Sequence, residues 1–170
     1  MTDSLTPLKR SWNMSRIRSS NTKPEMLIRS LLHRMGFRFR VHRKDLAGRP
    51  DIVLPRYRTV IFVHGCFWHQ HKDCIEASRP KSNTAYWQSK LDGNVERDRK
   101  NHRLLREQGW RVLLFWECEV ENDPERIALQ TEQELRGTPQ DPRHYNLPSR
   151  RELLTAAEAR TGFNRLQQPK

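Results

Sequence analysis

The stretch DIVLPRYRTVIFV, residues 51–63, decides how the rest of the chain is read. Two short β-branched apolar runs, IVLP and TVIFV, flank Arg56-Tyr-Arg58, and this pattern predicts a hairpin with both strands largely buried. Upstream, Thr22-Lys-Pro-Glu25 has the form of a capping box with proline in the first turn. Leu27, Ile28, Leu31, Leu32 and Met35 follow at helical spacing, and Gly36 stops the helix. Phe37, Phe39 and Val41 then alternate with Arg38 and Arg40, which predicts a strand with one buried and one basic face. Gly48 and Pro50 punctuate a turn before Asp51.

Downstream, residues 84–107 carry Trp87, Leu91, Val95 and Leu105 among many charges and predict a long helix weakened at Gly93. WRVLLFW, residues 110–116, predicts another buried strand, and Asp123-Pro124 opens a helix that ends near Gly137. The order helix, strand, strand, strand, helix, strand, helix predicts an α/β fold with a mixed central sheet flanked by helices. Such a fold alone names no function.

At 170 residues the chain is long enough for one domain with its own core. Residues 1–22 are polar and basic and predict an arm that orders on binding. The core domain then spans 23–137, and prolines and glutamines predict a loosely ordered tail over 138–170. The 32 lysines and arginines outweigh 20 acids, giving a net charge of +12, which favours a polyanion such as nucleic acid as partner. No apolar run approaches the roughly 20 residues of a membrane span, and the start lacks an apolar signal core, so a cytoplasmic protein is expected. Three cysteines, two of them beside histidines, predict reduced thiols serving as metal ligands rather than disulfides.

Residues 64–74, HGCFWHQHKDC, hold two cysteines, three histidines and two adjacent aromatics. Thiolates with imidazole suit zinc, and a structural zinc site takes four such ligands. Cys66, His69, His71 and Cys74 are candidates, with His64 just upstream. Cys118 follows the WRVLLFW strand, and pairing of that strand with TVIFV would bring it to the same end of the sheet. Three cysteines and one histidine would close the site, but spacing does not choose the histidine. Asp51 begins a buried strand, and a buried carboxylate needs a partner or a metal. It reads either as a magnesium ligand for phosphodiester cleavage or as a turn-forming aspartate, and the tetrapeptide alone favours the turn. Glu25 sits where a capping glutamate belongs, a sufficient structural reason for it.

Taken together, the blocks Gly48-Arg-Pro-Asp51, VIFVHGCFWH over 60–69, NVERDR over 94–99, GWRVL from Gly109 and Trp116-Glu-Cys118 resemble the very short patch repair (Vsr) DNA mismatch endonucleases. The likeness runs in order from about residue 9 to residue 136, with GCFWH and NVERDR the most specific blocks. It implies a restriction-endonuclease-like fold, with a nuclease domain over 23–137. It also implies a magnesium-dependent enzyme that nicks DNA 5′ of the thymine in T:G mismatches, which arise when 5-methylcytosine deaminates. Asp51 would be the catalytic magnesium ligand, with Glu25 near the metal, and His64 and His69 would be active-site histidines, His69 as general base or phosphate contact. Cys66, His71, Cys74 and Cys118 would bind structural zinc. Phe67, Trp68 and Trp87 would wedge into the base stack, Lys90 and Asn94 would meet the mismatched pair, and Met14 and Ile17 would grip DNA from the arm.

Implied partners are duplex DNA bearing a T:G mismatch, with functional links to a cytosine methyltransferase and repair proteins in the bacterial cytoplasm. The enzyme would act as a monomer on the nucleoid, away from membranes. The chain departs from the restriction pattern where an acid and a lysine are common, holding Val63 and Gly65 instead, so any metal contact at Val63 uses its backbone carbonyl. Two alternatives remain: a restriction-type nuclease cutting matched DNA, and a zinc-dependent DNA-binding module without catalysis.

Overall fold

The computed structural model describes residues 20–137 continuously, together with residues 6, 8, 9, 12 and 155. Helix α1, Lys23–Arg34, opens as the capping pattern requires: the Glu25 carboxylate accepts the Thr22 N–H at 3.3 Å and the Thr22 hydroxyl at 2.9 Å. The 51–63 stretch forms the expected hairpin, with β1, Ile52–Leu54, antiparallel to β2, Thr59–His64, through a 3-10 turn over Pro55–Tyr57. A short helix α2, Cys66–His69, follows, then the long α3, Thr84–Glu107, unbroken at Gly93. Strand β3, Arg111–Trp116, pairs parallel with β2, so the sheet is mixed, in the order β1-β2-β3. Helices α4, Glu117–Asn122, and α5, Pro124–Arg136, complete the described core; Asp123 caps α5 by accepting the Arg126 N–H at 2.9 Å.

The hairpin's unbroken apolar runs have a simple cause, since both faces of the sheet are covered. Ile52, Leu54, Ile61 and Val63 pack with Leu27, Ile28, Leu31 and Leu32 of α1 and with Val120 and Ile127 of the C-terminal helices. The alternate residues Val53, Val60 and Phe62 pack on the other face with Leu46 and with Leu105 of α3. Because successive side chains point to opposite faces, each strand feeds two cores.

Two strand expectations need correction. Residues 37–41 form no strand beyond an isolated antiparallel bridge between Arg40 and Val53, with both backbone bonds at 2.8 Å. Phe37 is buried, edge-on to Tyr57 and covered by the Arg136 guanidinium, but Val41 is 40% exposed and His42 turns the chain away at φ 52°. The 110–116 segment is a strand but is not buried, since it lies at the open edge of the sheet. Only Phe115 is fully covered, and Leu114 is 37% exposed. Met14, Ile17 and nearly all of the arm and tail lie outside the described residues.

Candidate functional site

The parallel pairing of β2 and β3 builds a candidate metal centre. His64 and Trp116 are register partners at the strand ends, so Cys66 and Cys118, each two residues further on, emerge side by side. The ligand atoms of Cys66, His71, Cys74 and Cys118 all lie within 4.8 Å of one another. His71 Nδ1 is 3.6 Å from Cys66 Sγ and 3.4 Å from Cys118 Sγ, and the Cys74 and Cys118 sulfurs are 3.9 Å apart. The His71 ring stacks on Trp116 at 4.2 Å, which fixes its orientation. Burial pushes the Cys66 thiol up to about 12 and raises that of Cys118, so without a cation the thiolates are disfavoured. Three soft sulfurs and one imidazole nitrogen form a closed candidate metal site. His71 lies within this set and His69 outside it.

Around the open end of β2 runs a cleft lined by Glu25, Asp51, His64, Trp68, His69 and Asp98, with Lys44, Arg49, Lys90 and Arg97 supplying positive charge. Asp51 Oδ2 accepts the Val63 N–H at 2.8 Å. Burial, reinforced by the nearby Glu25 charge, raises the Asp51 carboxyl to about 7 despite that bond and Arg29. A carboxylate so short of positive charge beside a second acid is a fitting hard-oxygen ligand for a divalent cation. Glu25, only 3% exposed, also accepts the Asn21 N–H at 3.0 Å and an Arg29 nitrogen at 2.8 Å. Arg29 donates in addition to the Asp51 carbonyl at 2.9 Å and to Asn21 Oδ1 at 2.6 Å, tying α1 to the start of β1.

The rings of His64 and His69 are stacked, with centroids 3.8 Å apart and planes 17° from parallel. Burial, with His69 adding to it, depresses His64 to about 3, so it is neutral at physiological pH. His69 Nδ1 meets Asp98 Oδ2 at 2.5 Å. Burial pulls Asp98 upward, but its bond to His69 together with the positive surroundings that His69, His64 and Arg97 supply outweighs this, and the carboxyl sits below its ordinary value. Although atoms of His64, His69 and Asp98 lie within 4.8 Å, stacked imidazoles direct their in-plane lone pairs side by side rather than toward one ion. An Asp98–His69 dyad, with Nε2 free to handle a proton, describes them better.

Phe67, Trp68 and Trp87 form one half-buried cluster: Phe67 lies edge-on to Trp68 at 5.1 Å and to Trp87 at 5.6 Å. They are neither core aromatics nor freely exposed ones. Lys90 is exposed on the same side of α3. Asn94 is buried; its amide donates to the Trp68 carbonyl at 3.0 Å, and its oxygen accepts Arg97 at 2.9 Å. Asp98 and Arg29 were missed from the sequence. Asp98 is four residues after Asn94 on one face of α3, inside the NVERDR block, so helical spacing carried a signal for it. Arg29, on the apolar face of α1, was detectable only as a break in that face.

A cleft that gathers carboxylates, histidines and basic side chains beside a loose aromatic cluster defines an enzyme that works on nucleic acid. Comparison with known proteins gives the class a family. The model of the DNA mismatch endonuclease Vsr family matches residues 2–76. The chain is 52% identical over 120 residues to the type II nicking enzyme V.XorIIP of Xanthomonas oryzae pv. oryzae, covering 71% of this chain and 88% of that protein. It is 49% identical over 122 residues to the type II nicking enzyme V.NmeAIP of Neisseria meningitidis, covering 72% and 86%. It is also 49% identical over 109 residues to the DNA mismatch endonuclease Vsr of Escherichia coli strain K12, covering 64% and 69%. The chain belongs to the Vsr family and is a DNA endonuclease, which removes the alternative of a zinc module without catalysis. No helix among the described residues is long and apolar enough to cross a membrane.

Proposed function

We propose that this endonuclease nicks duplex DNA on the 5′ side of the thymine in T:G mismatches left by deaminated 5-methylcytosine. The observation that carries this reading is the layout of α2, where Phe67, Trp68 and His69 are consecutive on one helical turn at the edge of the cleft that holds Asp51. Inserting aromatics between base steps costs a few kcal/mol, less at a mismatch, so a wedge joined to a catalytic histidine would couple lesion finding to cutting.

In this account Asp51 and the main-chain carbonyl of Val63 hold magnesium, with Glu25 nearby, in a restriction-endonuclease-like core. Bound there, the ion supplies charge neutralisation at the scissile phosphate and a more acidic water. His69 takes the proton from the attacking water at Nε2, while Asp98 holds the ring by its Nδ1. His64, neutral and buried, supports the His69 ring by stacking and faces the phosphate as a hydrogen-bonding group. Cys66, His71, Cys74 and Cys118 hold zinc, which fixes both ends of the segment that carries the wedge. Lys90 reaches the mismatched pair, Asn94 steadies Trp68 behind it, and Met14 and Ile17 grip the duplex from the arm. The enzyme acts as a cytoplasmic monomer and serves the lesions that a cytosine methyltransferase creates, with repair proteins completing the patch.

The wedge is tested by Phe67→Ala/Trp68→Ala in single-turnover nicking of a T:G duplex. The double variant is expected to lose about 100-fold in rate with a smaller change in thermal stability than a core substitution gives, because the replaced rings are only partly buried and stand outside the two hydrophobic cores. An undiminished T:G rate would refute the wedge.

A further inference from the structure

The turn that carries the wedge has a second fastening outside the Cys/His cluster. Helix α2 is a single turn, and its closing residue Gln70 adopts φ 53° and ψ 62°, a left-handed conformation that favours glycine. The glutamine side chain offsets that cost. Its amide donates to the Phe67 carbonyl at 2.7 Å and to the Ala77 carbonyl at 3.3 Å. Its oxygen accepts Arg79 Nε at 2.7 Å, and Arg79 also bonds Asp92 of α3 at 2.6 Å. A continuous chain of hydrogen bonds therefore runs from the backbone of the wedge to the helix that carries Trp87 and Lys90. The Cys/His cluster holds Cys66, His71 and Cys74, but among the described residues its side chains make no hydrogen bond to the Phe67 or Trp68 backbone.

We propose that Gln70, Arg79 and Asp92 form a strap that positions Phe67 and Trp68 against α3 and thereby sets discrimination for the mismatch, independently of metal at the Cys/His cluster. The proposal rests on the wedge reading above. The Arg79–Asp92 pair is about half exposed, and such pairs add little to stability. What the strap supplies is geometry, and a displacement of about 1 Å at a reacting centre can cost on the order of 100-fold in rate.

Gln70→Gly is the informative variant, since it removes the amide and at the same time relieves the left-handed backbone. Nicking of T:G and C:G duplexes, zinc content, Tm and amide hydrogen exchange at His69 and His71 would be measured on the full chain. Those two amides bond the Gly65 and Cys66 carbonyls and so report closure of the turn. The expected results are Tm and zinc content equal to the parent, exchange at both amides faster by about 10-fold, and a T:G to C:G rate ratio lowered by about 10-fold. Arg79→Lys, which keeps the cation for Asp92 but lacks the planar fork, is expected to lie between variant and parent. An unchanged rate ratio in Gln70→Gly, unchanged amide exchange, or a loss of zinc would each overturn the strap. If the parent shows no T:G preference, the mismatch reading fails by itself, and the two amides still decide whether the strap holds the turn.

Discussion

Asp51 binds its proton more tightly in the folded chain than in the unfolded one, because burial and Glu25 raise it from 3.8 to about 7. A group raised in this way stabilises the fold fully below its ordinary value, and that contribution disappears as pH rises from about 4 through 7. An asparagine in its place would not ionise and could keep the bond from the Val63 N–H. In magnesium-free buffer, Asp51→Asn is therefore expected to gain on the parent steadily between pH 4 and 7, reaching on the order of 1–3 kcal/mol at pH 8. Chemical denaturation of both proteins across that range measures the gain. His64 works the other way, being depressed to about 3, and costs stability as pH falls below 6.5. Both proteins share it, so it cancels in the difference. A flat difference would mean that Asp51 is ionised in the metal-free fold.

Among the elements, those whose residues carry local chemistry were legible in the sequence. The capping pattern at Thr22–Glu25, the paired β-branched runs and the Asp123-Pro124 start all predicted what the chain does, because each encodes its own backbone geometry. The failures were tertiary in origin. Phe37, Phe39 and Val41 alternate as a strand should, but the neighbouring β1 is only three residues long and His42 turns away. Phe37→Ala is accordingly expected to cost about 3–5 kcal/mol and Val41→Ser less than about 0.5 kcal/mol, as denaturant unfolding would read. Equal costs would restore the strand. The short helices α2 and α4 each follow directly on a strand, where apolar periodicity is too brief to show them. At the site, sheet pairing alone brings Cys118 to the end of β2, whereas for Asp98 helical spacing marks only the face of α3 it shares with Asn94, and its partner His69 is fixed by how α3 lies against α2. Because the Cys/His cluster joins the ends of β2 and β3, a chelator that strips the proposed zinc, or Cys118→Ser, should lower Tm by at least about 5 °C and abolish nicking together. Loss of metal with Tm unchanged would contradict a structural role.

Across the whole molecule, one sheet end organises everything that the proposed reaction needs. The parallel β2–β3 pair delivers the Cys/His cluster, the antiparallel β1 delivers Asp51, and the helix packed beside α2 delivers Asp98, Asn94 and Trp87. The chain's net charge of +12 gives it a general attraction for DNA, which salt will weaken, while the aromatic cluster would give this end a reason to prefer distorted sites. Family membership makes the chain a DNA endonuclease; mismatch preference is the claim that the site geometry adds. The most direct measurement is nicking, with magnesium, of two duplexes that differ only in T:G against C:G at one position, with Asp51→Ala as control. The account predicts a single nick 5′ of the mismatched thymine, faster by at least about 100-fold than any cut in the C:G duplex and absent in the variant. Equal cutting of both duplexes would contradict it and leave a restriction-type nuclease in its place.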